Sequence, residues 1–259
     1  MQTLAPAIAN PRSRMLRVLT YNVHSCRGAD RRPDPARIAD VIAACEPDVI
    51  ALQELDVGRL RTGHVDQAEV IARHLMMSSH FHPALHIEEE KYGDAILTAL
   101  PSRLVKAAAL PSIGEPRGAI WVEIEFGGQM IQVINTHFGL RRRERIAQAC
   151  AIIGQDWAGN TRCRGRATLL LGDFNSVPVS RAYSIVAGEL KPVISNRKHS
   201  PPTFPARFPL LRLDHMFTNE YLVTKNIETI VTPAARLASD HLPLLVSFGL
   251  VTAGSRLPA

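Results

Sequence analysis

The chain has 259 residues, 46 % of them hydrophobic, with 30 basic against 24 acidic side chains and a formal net charge of +6. That content can bury a large core, whereas no apolar run approaches the roughly 18 residues of a membrane-spanning helix and no fixed period marks a repeat protein. Aromatic content of 5 %, without basic–aromatic interleaving, argues against a platform for stacking single-stranded nucleic acid.

Residues 1–14 read as a flexible N-terminal tail. Their short apolar stretch, Leu4 to Ala9, is interrupted by proline and lacks a preceding basic residue, which does not suit a secretory leader. Leu16–Asn22 alternates and is β-rich, so it is predicted as a strand. Asp34-Pro35 then opens a helix carrying Ile38, Val41, Ile42 and Cys45, and Glu46-Pro47 ends it. The run from Asp48 to Gln53 suits a strand buried on both faces. A second helix is expected from Asp66 to Leu75, followed by short strands near 81–85, 95–98 and 104–110. Ala119–Phe126 and Met130–Thr136 flank Gly127-Gly128, a hairpin signal. A helix is expected from Arg141 to Trp157, with Ile146, Ala149, Cys150, Ile153 and Trp157 on its buried face. Further strands are placed at 167–171, 211–217, 223–231 and 244–248, a helix at 180–187 with Ser180 as its cap, and an irregular Pro-rich loop at 200–209. Residues 251–259 read as a flexible C-terminal tail. Strands and helices interleave, and hairpins mix with helix crossovers, so the expected class is α/β with two packed mixed sheets flanked by helices. Residues 15–250 read as one domain, since no linker divides them.

The four cysteines, Cys26, Cys45, Cys150 and Cys163, are widely spaced with no CxxC pair, which disfavours a zinc or redox motif. A reducing compartment fits them, making a cytoplasmic location the expectation. The arginine-dominated positive charge suits phosphate groups, whether of nucleic acid or of an anionic membrane surface; it equally suits a plain solvated exterior. The run Arg141-Arg142-Arg143, with Arg145, leaves the same two readings open.

Polar clusters gather at the ends of the apolar runs. Asn22 and Glu54 end two strands separated by one helix, so those strands can lie parallel and bring an amide and a carboxylate to one point. Oxygen donors of that kind suit a hard cation such as Mg²⁺. Asp173 and Asn175, in Gly172-Asp173-Phe174-Asn175, offer a carboxylate that can deprotonate water and an amide that can donate to a phosphoryl oxygen; an ordinary Asx turn is the other reading. His241 follows Asp240, with Asp214 as a candidate orienting carboxylate, and His137 ends another strand.

Taken in order, Thr20-Tyr21-Asn22, Leu52-Gln53-Glu54, Asn135-Thr136-His137, Gly172-Asp173-Phe174-Asn175, Leu213-Asp214-His215 and Ser239-Asp240-His241 resemble the motifs of the endonuclease/exonuclease/phosphatase superfamily, the deoxyribonuclease-like metal-dependent phosphoesterases, in its compact bacterial branch. The resemblance covers residues 16–248 and implies a four-layer α/β sandwich with its site at one edge of two sheets. It implies a Mg²⁺-dependent phosphodiesterase, with Mn²⁺ as a substitute, acting by in-line water attack. Glu54 is then the main metal carboxylate, with Asn22 beside it and Asp240 supporting. Asp173 activates water, Asn175 orients phosphate, His241 held by Asp214 contacts the scissile phosphate, and His137 and Arg117 bind near it. Two positions depart from the pattern: Asp94, where the family often has Asn, and His215, where it often has an aromatic. The implied substrate is a nucleic acid or a phospholipid headgroup; a non-catalytic polyanion-binding scaffold is the competing reading. Oligomeric state is not legible in the chain.

Overall fold

The computed structural model describes residues 15–194 and 201–251. The tail expected at 1–14 lies outside them, as does the one expected at 251–259 except for Val251. Twelve strands run β1 (Leu16–Asn22), β2 (Val49–Val57), β3 (Ser78–Ile87), β4 (Glu90–Thr98), β5 (Ser102–Leu110), β6 (Arg117–Phe126), β7 (Gln129–His137), β8 (Thr168–Asp173), β9 (Lys191–Pro192), β10 (Asp214–Thr218), β11 (Leu222–Thr229) and β12 (Leu244–Leu250). They form two six-stranded sheets, ordered β11-β12-β1-β2-β4-β3 and β5-β6-β7-β8-β10-β9. Each sheet is mixed: β1 and β2 are parallel, as are β7 and β8, and the other pairs are antiparallel.

The helices are α1 (Pro35–Ala43), α2 (Gln67–His74), α3 (Arg142–Ile152), α4 (Thr161–Arg164), α5 (Arg181–Ala187) and α6 (Pro233–Ala238). Asp34 and Ser180, the caps expected from sequence, accept a hydrogen bond from a first-turn N–H, at Arg37 and Tyr183, and Asp66, expected as the first residue of its helix, caps it in the same way from Glu69.

The β1 and β2 strands are apolar on both faces because both faces are covered. Val18 and Ala51 join the layer between the sheets, with Ile120, Val133 and Leu171 opposite them. Their neighbours Leu19 and Ile50 point the other way, against Ile38, Ile42 and Ile71 of α1 and α2. On the far side of the second sheet, Ile134 and Leu170 pack on Ala149, Ile152 and Val186 of α3 and α5. The layers are therefore helix, sheet, sheet, helix. Strand polarity then decides where the chemistry falls. The ends of β1, β2, β7 and β8 and the starts of β10 and β12 meet at one edge of the sandwich.

Two expectations need correction. The helix predicted from Arg141 to Trp157 stops at Ile152, before Gly154, and its buried residues include Glu144 and Gln148, while Cys150 is exposed. Hydrophobic periodicity misplaced that face because both polar side chains are used inside. Glu144 accepts from the N–H groups of Ile113 and Gly114, and Gln148 from that of Gly139. Helix α6 was not anticipated, although Thr232 caps it and Pro233 occupies its first turn.

Candidate active site

Register brings the polar clusters together. Asn22 on β1 stands beside Gln53 on β2. The next residue, Glu54, sits where the β2–β4 register shifts, with a left-handed φ of 62°. Such a conformation costs a non-glycine residue roughly 1–3 kcal/mol, and a bulge re-aims the side chain it carries. The Glu54 carboxylate thereby reaches Asn22, whose Nδ2 donates to its Oε1 at 2.9 Å. The same amide nitrogen donates at 3.0 Å to Oδ2 of Asp173, on the other sheet. Asn22 Oδ1 accepts the N–H of His24, so in this arrangement the amide presents its nitrogen, not its oxygen, to the carboxylates.

Asp173 ends β8 directly beside His137 on β7 and opposite Asp214 on β10. Gly172 makes that approach feasible: its φ is 139°, and a Cβ there would lie 1.9 Å from the Thr136 carbonyl oxygen. The Asx turn read as an alternative is present, since Asp173 Oδ1 accepts the N–H of Asn175 at 2.8 Å. It coexists with a site geometry, because Oδ2 is left facing Asn22, His137 at 3.6 Å and His241 at 3.6 Å.

His241 Nδ1 lies 2.8 Å from Asp214 Oδ2, and its ring packs on Phe204 with centroids 4.8 Å apart. Burial opposes its charge, but the carboxylates of Asp214 and Asp173 prevail and lift its pKa to about 10. It is an imidazolium at neutral pH. Burial raises the pKa of Asp173, an effect His241 opposes and Asp214 reinforces. Asp173 is thus a stronger base than a solvated carboxylate.

His137 behaves in the opposite way. Burial, then the charges of Arg117 and His241, hold its pKa well below the usual imidazole value. Arg117 is an obligate donor and its Nη1 lies 2.9 Å from His137 Nδ1, so that nitrogen is the acceptor and Nε2 carries the hydrogen. Nε2 faces Asp173 and, at 3.9 Å, Glu54. The Asn175 side-chain nitrogen donates to the Phe138 carbonyl at 2.9 Å and lies 3.0 Å from Nε2, so two N–H donors stand side by side there with no hydrogen bond between them.

These residues line a cleft of about 530 Å³. Glu54, Asp173, Asn175, His137, Arg117, Asp240 and His241 all open onto it. Asp240 sits at the rim, 45 % exposed, with its Oδ1 3.7 Å from His24 Nδ1. Asp214 is fully buried behind His241. His215 turns away: alternation along β10 sends it among Phe174, Tyr183 and Phe217, where its Nε2 meets the Ser176 carbonyl at 2.7 Å. Asp94, raised by burial to about 8 against the opposing charge of Arg117, supports Glu54 from β4 through the Glu54 N–H.

Several contributors carried no role in the sequence reading. Arg61 lines the cleft, held by Asp56 through two 2.7 Å contacts and lying over the Tyr92 ring. Ser239 donates to the Asn22 carbonyl at 2.8 Å, tying the last motif to the first. Gln53 and Asn135 join the sheets: Gln53 donates to Asn135 Oδ1 at 2.8 Å, and Asn135 donates to the carbonyls of Leu52 and Ala95. Their signal was present as neighbours of Glu54 and His137 inside the quoted motifs.

The donor chemistry fits a hard divalent cation. Glu54 and Asp240 both line one cleft, and no cysteine is among the described residues that line it. A tight grouping of Asp173, Asp214 and His241, with ligand atoms within 4.8 Å of one another, also lies there. Its 2.8 Å His241–Asp214 contact, with the imidazole protonated, is that of a hydrogen-bonded pair rather than of two ligands.

The model of the Endonuclease/Exonuclease/phosphatase family matches residues 19–241. The Escherichia coli protein YbhP is 28 % identical over 246 residues, covering 88 % of this chain and 94 % of that one. Among solved structures, an endonuclease/exonuclease/phosphatase family protein from Bacteroides thetaiotaomicron superposes with a TM-score of 0.75 at 19 % identity, covering 95 % of this chain and 98 % of that one. A mannosyl-6-phosphatase from the same organism gives 0.70 at 19 % identity, covering 90 % and 99 %.

Proposed function

Because this chain belongs to the endonuclease/exonuclease/phosphatase family, whose members hydrolyse phosphate esters, we propose that it is a Mg²⁺-dependent phosphodiesterase acting by in-line attack of water. One observation carries the reading. Asn22 bridges Glu54 of one sheet to Asp173 of the other, and Asp173 also faces His241, so a carboxylate cluster and an imidazolium share one cleft.

Glu54 and Asp240 are the residues to hold the cation, while the Asn22 nitrogen, donating to Glu54 and Asp173, fixes those two carboxylates. When bound, it supplies charge that polarises a phosphoryl oxygen and steadies the leaving oxygen. Asp173, made more basic by burial, takes the proton of the attacking water. The imidazolium of His241 donates from Nε2 to a phosphoryl oxygen, while Asp214 fixes its Nδ1. The Nε2–H of neutral His137 and the amide of Asn175 donate on the same side, and Arg117 locks the His137 ring. Positioning and preorganised charge are what phosphoryl transfer asks of a protein.

Nucleic acid is one version of the substrate. The apolar side of the cleft, formed by Leu140, Phe204 and Leu213, favours a second version in which the ester is a phospholipid headgroup. Plasmid DNA, RNA, bis-p-nitrophenyl phosphate and phospholipid, each assayed with and without EDTA, separate the two. Turnover abolished by EDTA and restored by Mg²⁺ or Mn²⁺ is expected on at least one ester. Metal-independent polyanion binding, with no turnover on any of the four, identifies a scaffold instead.

A further inference from the structure

The seven most exposed large apolar side chains among the described residues run from Val179 at 91 % to Ile113 at 62 %. Only one of them, Met76, lies at the far end of the sandwich. Leu60, Ile113, Leu140, Val179, Phe208 and Leu210 all sit on connections at the cleft end, between strands whose tips carry the site. Single exposed aliphatic residues scattered over a surface need no explanation, whereas their concentration on one rim does.

Charge sorts this rim into two walls. Strands β7, β8 and β10 are neighbours, and the segments 138–143, 176–181 and 204–211 lead from or into their cleft ends; Leu140 and Phe204 line the same cleft, and 204–211 rests against α6 and the Asp240 carbonyl. They present Leu140, Val179, Phe208 and Leu210 together with exposed Arg141, Arg142, Arg143, Arg181 and Arg207. None of the three segments contains an Asp or Glu. No ion pair engages these arginines among the described residues, and the Arg207 guanidinium lies 5.4 Å from the centroid of the Phe208 ring. The opposite wall, at the β3–β4 turn, carries exposed Glu88 and Glu89.

We propose that the wall built by residues 138–143, 176–181 and 204–211 docks the protein on an anionic lipid bilayer surface, seating Val179, Phe208 and Leu210 among the headgroups and acyl boundary while the arginines meet lipid phosphates. Apolar tips interleaved with arginine are what an interfacial surface requires. A nucleic acid would use the arginines but offers no counterpart to the aliphatic tips; its platforms are aromatic. The proposal stands on the rim and is independent of the reaction in the cleft.

Vesicles of phosphatidylcholine, alone or mixed with phosphatidylglycerol, test it by co-sedimentation of the full chain. Binding to the mixed vesicles is expected, reduced but not abolished by high salt. Arg142→Ala and Arg181→Ala each weaken it about five-fold, the effect of one basic residue near a charged surface. Val179→Asp and Leu210→Asp each weaken it about tenfold or more and remove the salt-resistant part. The four variants keep the wild-type melting temperature and the wild-type rate on a soluble phosphodiester. Failure to bind the mixed vesicles overturns the proposal, as does undiminished binding by both aspartate variants. Preference for a single- or double-stranded oligonucleotide, with vesicles ignored, assigns the wall to nucleic acid and equally overturns it.

Discussion

His241 is hydrogen-bonded to Asp214 and lies 3.6 Å from the Asp173 carboxylate, and Asn22 ties Asp173 to Glu54, so these side chains act as one unit. Replacing Asp173 or His241 by Ala removes a base or a donor from that unit, and a loss of roughly 10²–10⁴ in kcat is expected with near-ultraviolet circular dichroism unchanged. A variant turning over at the wild-type rate refutes its assigned role. His215 shows how one residue further along β10 changes everything. It is fully enclosed, and burial followed by the Arg212 charge pushes its pKa down from 6.5 to about 3. Between those values the unfolded chain takes up a proton that the folded chain refuses, so acidification favours unfolding and stability rises with pH across this window. The slope is about 1.4 kcal/mol per pH unit, on the order of 2–3 kcal/mol by pH 4.5. His215→Phe keeps an aromatic ring in the cluster and should lessen the acid sensitivity seen in urea denaturation at pH 7 and pH 4.5. An unchanged difference between those two pH values contradicts the buried neutral imidazole.

Among the elements, the strands that carry the site were the most legible. β1, β7 and β8 end in the polar residues they deliver, Asn22, His137 and Asp173, whereas β2, read as ending near Glu54, continues to Val57. Four things were not legible, each for a physical reason. The bulge that turns Glu54 has no composition signal, because it arises from register against β4. The orientation of the Asn22 amide is decided by the His24 N–H. The buried face of α3 follows backbone partners of Glu144 and Gln148 rather than hydrophobic period. The tie between Gln53 and Asn135 spans 82 residues of sequence. That tie makes a prediction of its own. Asn135→Ala leaves the Gln53 nitrogen with Thr20 and the Ala51 carbonyl as acceptors but takes a donor from the Leu52 and Ala95 carbonyls in a dry interior, at roughly 1–3 kcal/mol for each group left unsatisfied. A shift of the urea midpoint by at least about 2 kcal/mol equivalent is expected, with the slope unchanged. A wild-type midpoint indicates that water or rearrangement replaces the bridge.

For the molecule as a whole, the two sheets act as a rigid frame whose facing edges hold the two halves of the site. Glu54 comes from the first sheet and Asp173 from the second, so neither sheet alone assembles the cleft. The expected α/β sandwich of two mixed sheets with flanking helices is the observed architecture. No helix among the described residues is long and apolar enough to cross a membrane. The most direct measurement is a crystal soaked with Mn²⁺ and phosphate, read by anomalous scattering. The expected result is manganese against the Glu54 carboxylate, with phosphate within hydrogen-bond reach of His241 Nε2 and His137 Nε2. Manganese away from Glu54, or phosphate on a different surface from Asp173 and His241, contradicts the account.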